Sequence, residues 1–446
     1  MGQHPDPPSP LIVPRAEHPI SRTNLDREAL KVLHRLRDAG YSAYLVGGGV
    51  RDLYLGKTPK DFDISTNARP GQLRSLFRNS RIIGRRFRLV QVFFPGGKIV
   101  EVSTLRCRSE YDVDGEEEHE VLASNNTFGS EAEDAFRRDL TINALFYEIE
   151  NFTIIDYTGG VADLNNRIVR IIGDPNLRII HDPIRMMRAI RHAARSGFNI
   201  EEATWQAITR HVDTLRLCPV SRVRDELFKD LYSGASAPWA RFALASGLFF
   251  QLFPFYNGIF TPAEQEASGE TALFLALCGA IDRLHAEGPP LPEHILLSAL
   301  MLPWAQAEFQ LSTIALKGQE AFAFSRKLRN RIDVLLEHLN VKKASREAIA
   351  LLLVNLPVFV HHAQEQNWPG WLKKKSYFQE GLLLFQIYQE ALGGPPTTPP
   401  ARVQASAAPE ARSSREEKTR KRPHPRPEGR TPSFTGRKGG IFGLKK

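Results

Sequence analysis

Apolar positions change their spacing twice along this chain, and the changes divide it into three stretches. In residues 24–40, Leu25, Ala29, Leu30, Leu33 and Leu36 recur at three- and four-residue steps, which predicts a helix stopped by Gly40. Ala43 to Val46 is a short β-prone run. Gly47, Gly48 and Gly49 break it, residues 50–55 read as one or two helical turns, and Gly56 ends them. Phe62 and Ile64 are the apolar members of the next strand. Residues 70–79 read as a helix and 81–83 as a short strand, and then 88–94 and 98–104 flank Pro95, Gly96 and Gly97 as a hairpin. Residues 108–135 are acidic and weakly patterned, which predicts a mobile loop. Residues 137–149 restart regular structure, with Ile142, Ala144 and Leu145 spaced as at a helix start, and 154–160 read as a strand and turn. From about Arg195 to Leu392 the strand signals vanish. Apolar-periodic segments at 273–284, 294–302, 349–356 and 378–392 predict an all-helical region. The aromatic run 249–255 reads first as buried helix packing, with base stacking as the alternative. No internal repeat is present.

Composition refines this picture. With 446 residues, 42% hydrophobic and 24% charged, the chain has ordinary globular values and room for two to four domains. Cys107, Cys218 and Cys278 lie far apart, so neither a disulfide framework nor a cysteine zinc site is suggested, and a reducing cytoplasmic setting fits. No run approaches the roughly 20 apolar residues of a membrane span. The proline-rich beginning predicts a disordered leader rather than a signal peptide. Charge is distributed unevenly. Residues 401–446 hold thirteen Lys or Arg against four Glu, which equals the whole net charge of +9 and leaves the remainder near neutral. That tail, behind a Gly/Pro linker at 393–400, is too polar to fold and reads as a basic arm for polyanions, with a merely solubilising tail as the alternative.

The candidate chemistry sits at residues 43–64. A glycine turn exposes backbone amides that can cradle phosphate oxygens, and Arg51 adds a cation one turn later. Because Phe62 and Ile64 face the core, Asp61 and Asp63 share the opposite face, roughly 6–7 Å apart at ~3.3 Å per residue. Two carboxylates so placed suit hard divalent cations. Rival phosphate motifs fail, since a dinucleotide fingerprint needs glycine where Asp52 stands and a Walker A loop needs it where Arg51 stands. Glu101 alternates with Val100 and Val102 and is either a third site carboxylate or a solvated sheet residue.

The composite Gly-Gly-x-Val-Arg-Asp at residues 47–52, followed by Asp61-Phe62-Asp63, resembles the polymerase-β-like nucleotidyltransferases. Within them it is similar to the bacterial tRNA CCA-adding enzyme and poly(A) polymerase family. The resemblance favours Glu101 as a catalytic carboxylate beside Asp61 and Asp63, with Mg²⁺ on the aspartates. Arg137-Arg138-Asp139-Leu140-Thr141-Ile142-Asn143-Ala144 matches the family's second signature, which implies that Arg137, Arg138, Asp139 and Asn143 hold the nucleotide's ribose and phosphates beside Gly47, Gly48 and Arg51. A third signature spans residues 181–195. There Asp182 is expected to cap a helix that has Pro183 at its first position and Arg185, Arg188, His192 and Arg195 on one face. A carboxylate at Asp182 accepts from an exocyclic amine while Arg185 donates to the adjacent ring nitrogen, a pair offered by adenine and cytosine but not by guanine or uracil. His181 departs from the family, which more often has Glu there.

The resemblance implies an α+β protein. A nucleotidyltransferase head with a small mixed sheet at 23–175 follows a disordered leader at 1–22. A helical neck at 176–262 binds the base and RNA, a helical body fills 263–392, and a linker and disordered basic tail occupy 393–446. The leader sequence at 13–22, the triple glycine, the run 84–88 and the basic tail resemble the poly(A) polymerase branch most. The implied activity is addition of AMP from ATP to mRNA or tRNA 3′ ends by a cytoplasmic monomer with no membrane partner, in RNA polyadenylation linked to decay. CCA addition from CTP and ATP is the alternative, and an inactive RNA-binding protein is a third reading that intact Asp61 and Asp63 argue against.

Overall fold

Eight strands form one mixed sheet in the computed structural model, which describes residues 9–84, 88–107, 128–260, 269–311, 318–364 and 368–398. They are β1 (Leu11–Val13), β2 (Ala43–Val46), β3 (Asp63–Thr66), β4 (Ser80–Ile83), β5 (Leu89–Phe93), β6 (Ile99–Thr104), β7 (Leu145–Glu148) and β8 (Thr153–Asp156), in the order β1-β8-β7-β2-β3-β6-β5-β4. Only β3 and β6 run parallel, and their register sets Asp63 beside Glu101. The expectations for Arg85 to Phe87, for 108–127 and for the tail from 399 onward lie outside the described residues.

The helix Arg27–Asp38 forms as its apolar spacing requires. Asp26 caps it by accepting from the Glu28 and Ala29 amides at 3.0 Å, and Ala29, Val32, Leu33 and Leu36 are buried against the sheet. On β5 and β6, Val90, Val92, Val100 and Val102 face the same core, while Gln91 and Glu101 point to the other side and meet in a 2.9 Å hydrogen bond. Gly96 and Gly97 turn the hairpin with φ of +77° and +78°, a backbone that side chains with a Cβ resist.

Three expectations need correction. The leader is ordered from residue 9 onward: Leu11-Ile12-Val13 adds an edge strand to β8, His18 bonds the Phe152 carbonyl at 2.8 Å, and Ile20 is buried. Proline richness masked a short apolar triplet, Leu11-Ile12-Val13, with a free sheet edge to join. The helix start expected within 137–149 is instead a 3₁₀ turn, Thr141–Asn143, leading into β7. All four β7 residues are buried between β2 and β8, so the strand shows no two-residue alternation to give it away. Finally, the linker begins by docking. The Thr397 amide donates to Glu390 Oε2 at 2.8 Å, and Arg283 binds both Glu390 and the Thr397 carbonyl.

Beyond residue 183 the described chain is helical apart from β10 (Asn199–Ile200), which pairs in parallel with β9 (Ile168–Val169) and so ties the helical part back to the segment that precedes it. The aromatic run is core. Phe249 is fully buried, with ring centroids 4.9 Å from Phe274, 5.1 Å from Phe253 and 5.4 Å from Tyr256 and Phe260. The helix Lys343–Gln364 is long and apolar enough to cross a membrane, yet Ile349, Leu352, Leu353, Leu356 and Phe359 are buried in the helical body.

Candidate active site

A cavity of about 450 Å³ gathers most of the predicted residues. Gly47, Gly48, Arg51 and Asp63 line it from the head, Arg137, Arg138, Asp139 and Asn143 from the segment before β7, Asp182 from the end of the helix Pro175–His181, and Arg185 and Arg188 from the helix Ile184–Ser196. Asp61 and Glu101 are outside its lining. Asp61 is exposed just before β3, with its carbonyl beneath Gly49, and Glu101 flanks Asp63 on β6.

Gly47 makes the turn with φ +69° and ψ −137°, and a Cβ there would stand 3.3 Å from an Arg138 guanidinium nitrogen. Both demands select glycine. The buried Arg51 is more engaged than a free phosphate ligand would be. Its Nε and Nη2 donate to Asp52 Oδ1 at 2.9 and 2.7 Å, and Nη1 donates to Asn143 Oδ1 at 2.6 Å and to His192 Nδ1 at 3.1 Å. Since arginine only donates, His192 Nδ1 accepts. Burial, then the Arg51 charge, hold the His192 pKa well below its usual range, so the ring is neutral.

Asp134 organises the second segment, and nothing in the sequence singled it out. Its fully buried carboxylate accepts from Arg137 Nε at 2.7 Å and Arg138 Nη2 at 2.9 Å. Burial pushes its pKa up, but the two guanidinium groups outweigh that and hold it below the ordinary value. Asp139 is paired with Arg188 and accepts from the Leu140 amide at 2.8 Å. Burial opposes its ionisation, but Arg188 and neighbouring positive groups keep the carboxyl well below the usual range.

The third segment departs from the expected cap. Asp182 ends the helix Pro175–His181, Pro183 caps the helix Ile184–Ser196, and no side chain caps that helix. The Asp182 carboxylate turns instead toward Arg222, which donates to Oδ2 at 3.1 Å. Asp182 Oδ1 and Arg185 Nε are both buried without a hydrogen-bond partner. An orphan acceptor and an orphan donor thus sit on one cavity wall, a costly arrangement unless a ligand completes it. Arg222 and Glu226 reach the cavity from the helix Val220–Leu231, which the buried Arg191 ties to the helix Ile184–Ser196 through Glu226 and Asp230. His192, read from the sequence on one face with Arg185 and Arg188, also lines the cavity, whereas Arg222 and Glu226 carried no such signal.

At the carboxylates, enclosure first and then the charges of Glu101 and Asp61 push the Asp63 carboxyl up to about 6, against Arg138. Among the described residues no three His, Cys, Asp or Glu side chains converge as a ready-made metal cluster. The under-compensated negative charge of three oxygen-donor groups nevertheless fits a hard divalent cation.

Comparison with known proteins agrees with this layout. Residues 43–170 match the poly A polymerase head domain model, and residues 197–259 match the model described as the probable RNA and SrmB-binding site of polymerase A. Poly(A) polymerase I of Escherichia coli O6:H1 is 46% identical over 259 residues, covering 57% of this chain and 56% of that one. Residues 43–170 and 197–259 of this chain thus match the poly(A) polymerase and CCA-adding enzyme family. A CCA-adding enzyme of Bacillus velezensis is 29% identical over 348 residues, covering 74% and 84% of the two chains. The solved structure of a CCA-adding enzyme in apo form II shares the family's fold with a TM-score of 0.58 at 21% identity, covering 83% of this chain and 82% of the other. The chain spans about half the length of the poly(A) polymerase I relatives that it matches.

Proposed function

We propose that the chain is a template-independent RNA nucleotidyltransferase that adds AMP from ATP to RNA 3′ ends. The observation that carries this reading is the buried, unpartnered pair of Asp182 Oδ1 and Arg185 Nε on the wall of the cavity that Asp63 also lines. An adenine amine donates to the carboxylate, and its adjacent ring nitrogen accepts from the guanidinium. Arg137, Arg138, Arg188 and the Gly47-Gly48 turn hold the triphosphate, and Asn143 meets the ribose. The RNA 3′-hydroxyl oxygen attacks the α-phosphorus, the bond to the bridging oxygen breaks, pyrophosphate leaves, and the hydroxyl proton passes to solvent. Asp61 and Asp63, with Glu101 alongside, would hold Mg²⁺, which lowers the pKa of the attacking hydroxyl and neutralises charge on the leaving oxygen.

Cytosine presents the same donor and acceptor order, and CCA-adding relatives are close, so CCA addition is the second reading. The higher identity of the poly(A) polymerase I relatives favours ATP. Within this proposal the protein works as a cytoplasmic monomer, with a head at 23–175, a neck at 176–262, a body at 263–392 and a basic tail that adds RNA affinity. Offering each nucleoside triphosphate singly to a generic RNA and to a tRNA lacking its CCA end separates the readings. Growth of the generic RNA by A alone supports poly(A) addition, and extension confined to the tRNA with CTP required supports CCA addition.

A further inference from the structure

On the face of the sheet opposite Asp63 and Glu101, a second cavity of about 700 Å³ opens beside the outer face of the helix Arg27–Asp38. Its lining holds Arg22, Arg27, Lys31, His34 and Arg35 against one carboxylate, Asp38. Arg27, Lys31 and Arg35 lie four residues apart, so they form a row with one cation about every 6 Å at 1.5 Å rise per residue. The nearby acids neutralise the row only in part. Lys31 pairs with Glu28 at 3.6 Å, a carboxylate it shares with Lys98 at 3.8 Å, Lys98 also pairs with Asp26, and among the described residues Arg22, Arg27 and Arg35 have no carboxylate within salt-bridge distance. Like charges at four-residue steps destabilise a helix in the absence of a counter-charge. Leu30, Val92 and Phe94 supply an apolar floor, and the Arg35 guanidinium sits 5.5 Å from the Phe77 ring centroid.

We infer that this groove is a second RNA-binding surface, one that holds the upstream part of a single strand whose 3′ end occupies the catalytic cavity. A row of cations suits a chain of phosphates better than a single anion. Arginine forks match phosphate oxygens in paired hydrogen bonds, and the apolar floor accepts bases, which an acidic peptide does not offer. Valines at alternate positions of β5 and β6 face this side while Gln91 and Glu101 face the other, so RNA must pass around the sheet to reach the groove. A short RNA whose 3′ end is held at the catalytic cavity therefore does not reach it. The inference takes the identity of the polyanion from the proposed function, but binding is measured without turnover and so stands apart from it.

The test compares the full chain with a variant carrying Arg27→Gln, Lys31→Gln and Arg35→Gln, all good helix formers on an exposed face. Circular dichroism and thermal unfolding check the fold, and a single Arg27→Gln variant serves if the triple is unstable. Fluorescence anisotropy is read with a short and a long 5′-labelled oligo(A) across a salt series. The long RNA should bind roughly tenfold more weakly at low salt, with the slope of log affinity on log salt reduced by about 2, at roughly 0.7 per phosphate. The short RNA should be unaffected. Equal slopes for the long RNA, an equal loss for the short one, or stronger competition by polyglutamate than by oligo(A) would each overturn the inference. Failure of the wild-type protein to incorporate any nucleotide would sink the proposed function and leave this result standing.

Discussion

Arg222 holds one oxygen of Asp182 at 3.1 Å and leaves the other buried with no partner. Asp182 lies between the helices Pro175–His181 and Ile184–Ser196, Arg222 lies on the helix Val220–Leu231, and both residues line the cavity. Asp182→Ala should therefore reduce discrimination of ATP over GTP and UTP by roughly 5- to 150-fold, the equivalent of ~1–3 kcal/mol for a lost buried partner. Arg222→Ala should act in the same direction but more weakly, because Asp182 keeps its charge and loses only its orientation. The measurement is kcat/KM for each nucleotide. Unchanged ratios in Asp182→Ala would rule out base reading by this pair.

A pH prediction follows from His192. Its folded pKa lies well below its ordinary value near 6.5 because of burial and the Arg51 charge, so below about pH 6.5 the unfolded chain binds a proton that the folded site refuses. This group's share of stability is present at neutral pH and falls as pH drops, with a slope of up to ~1.4 kcal/mol per pH unit. Asp230 has the opposite sign, since burial pushes its folded carboxyl up to about 7 and favours the protonated folded state in mild acid. Urea unfolding of wild type and His192→Gln at pH 7 and 5 isolates the histidine. The variant should lose less stability on acidification, and parallel losses would contradict the assignment.

The aromatic cluster gives a prediction on packing. Phe249 touches five other rings and has no exposed surface, so Phe249→Ala should cost ~3–5 kcal/mol in denaturant unfolding. RNA affinity of the folded protein at low temperature should be unchanged. A selective loss of RNA binding without loss of stability would revive base stacking.

The site was legible where local chemistry announces itself. Gly47 must adopt a positive φ, Asp63 opposes an apolar face, and Arg185, Arg188 and His192 repeat on one helix face. It was illegible where partners come from distant chain. Asp134 looks like any helix acid until its carboxylate is seen between Arg137 and Arg138, and Arg222 meets Asp182 only through packing of the helix Val220–Leu231. Strand β7 hid for a different reason, being buried on both faces, and β1 because three residues next to prolines carry little periodic signal.

The central claim is that Asp63 and its neighbouring carboxylates perform nucleotidyl transfer at this cavity. Its most direct test is incorporation of labelled ATP into a generic RNA with Mg²⁺, by wild type and by Asp63→Asn, each checked for folding by circular dichroism and for ATP binding by calorimetry. Wild type should extend the RNA with A, whereas Asp63→Asn should bind ATP yet lose at least about a thousandfold in turnover, roughly 4 kcal/mol of transition-state stabilisation. Near-normal turnover in Asp63→Asn, or no incorporation of any nucleotide by wild type, would contradict the account.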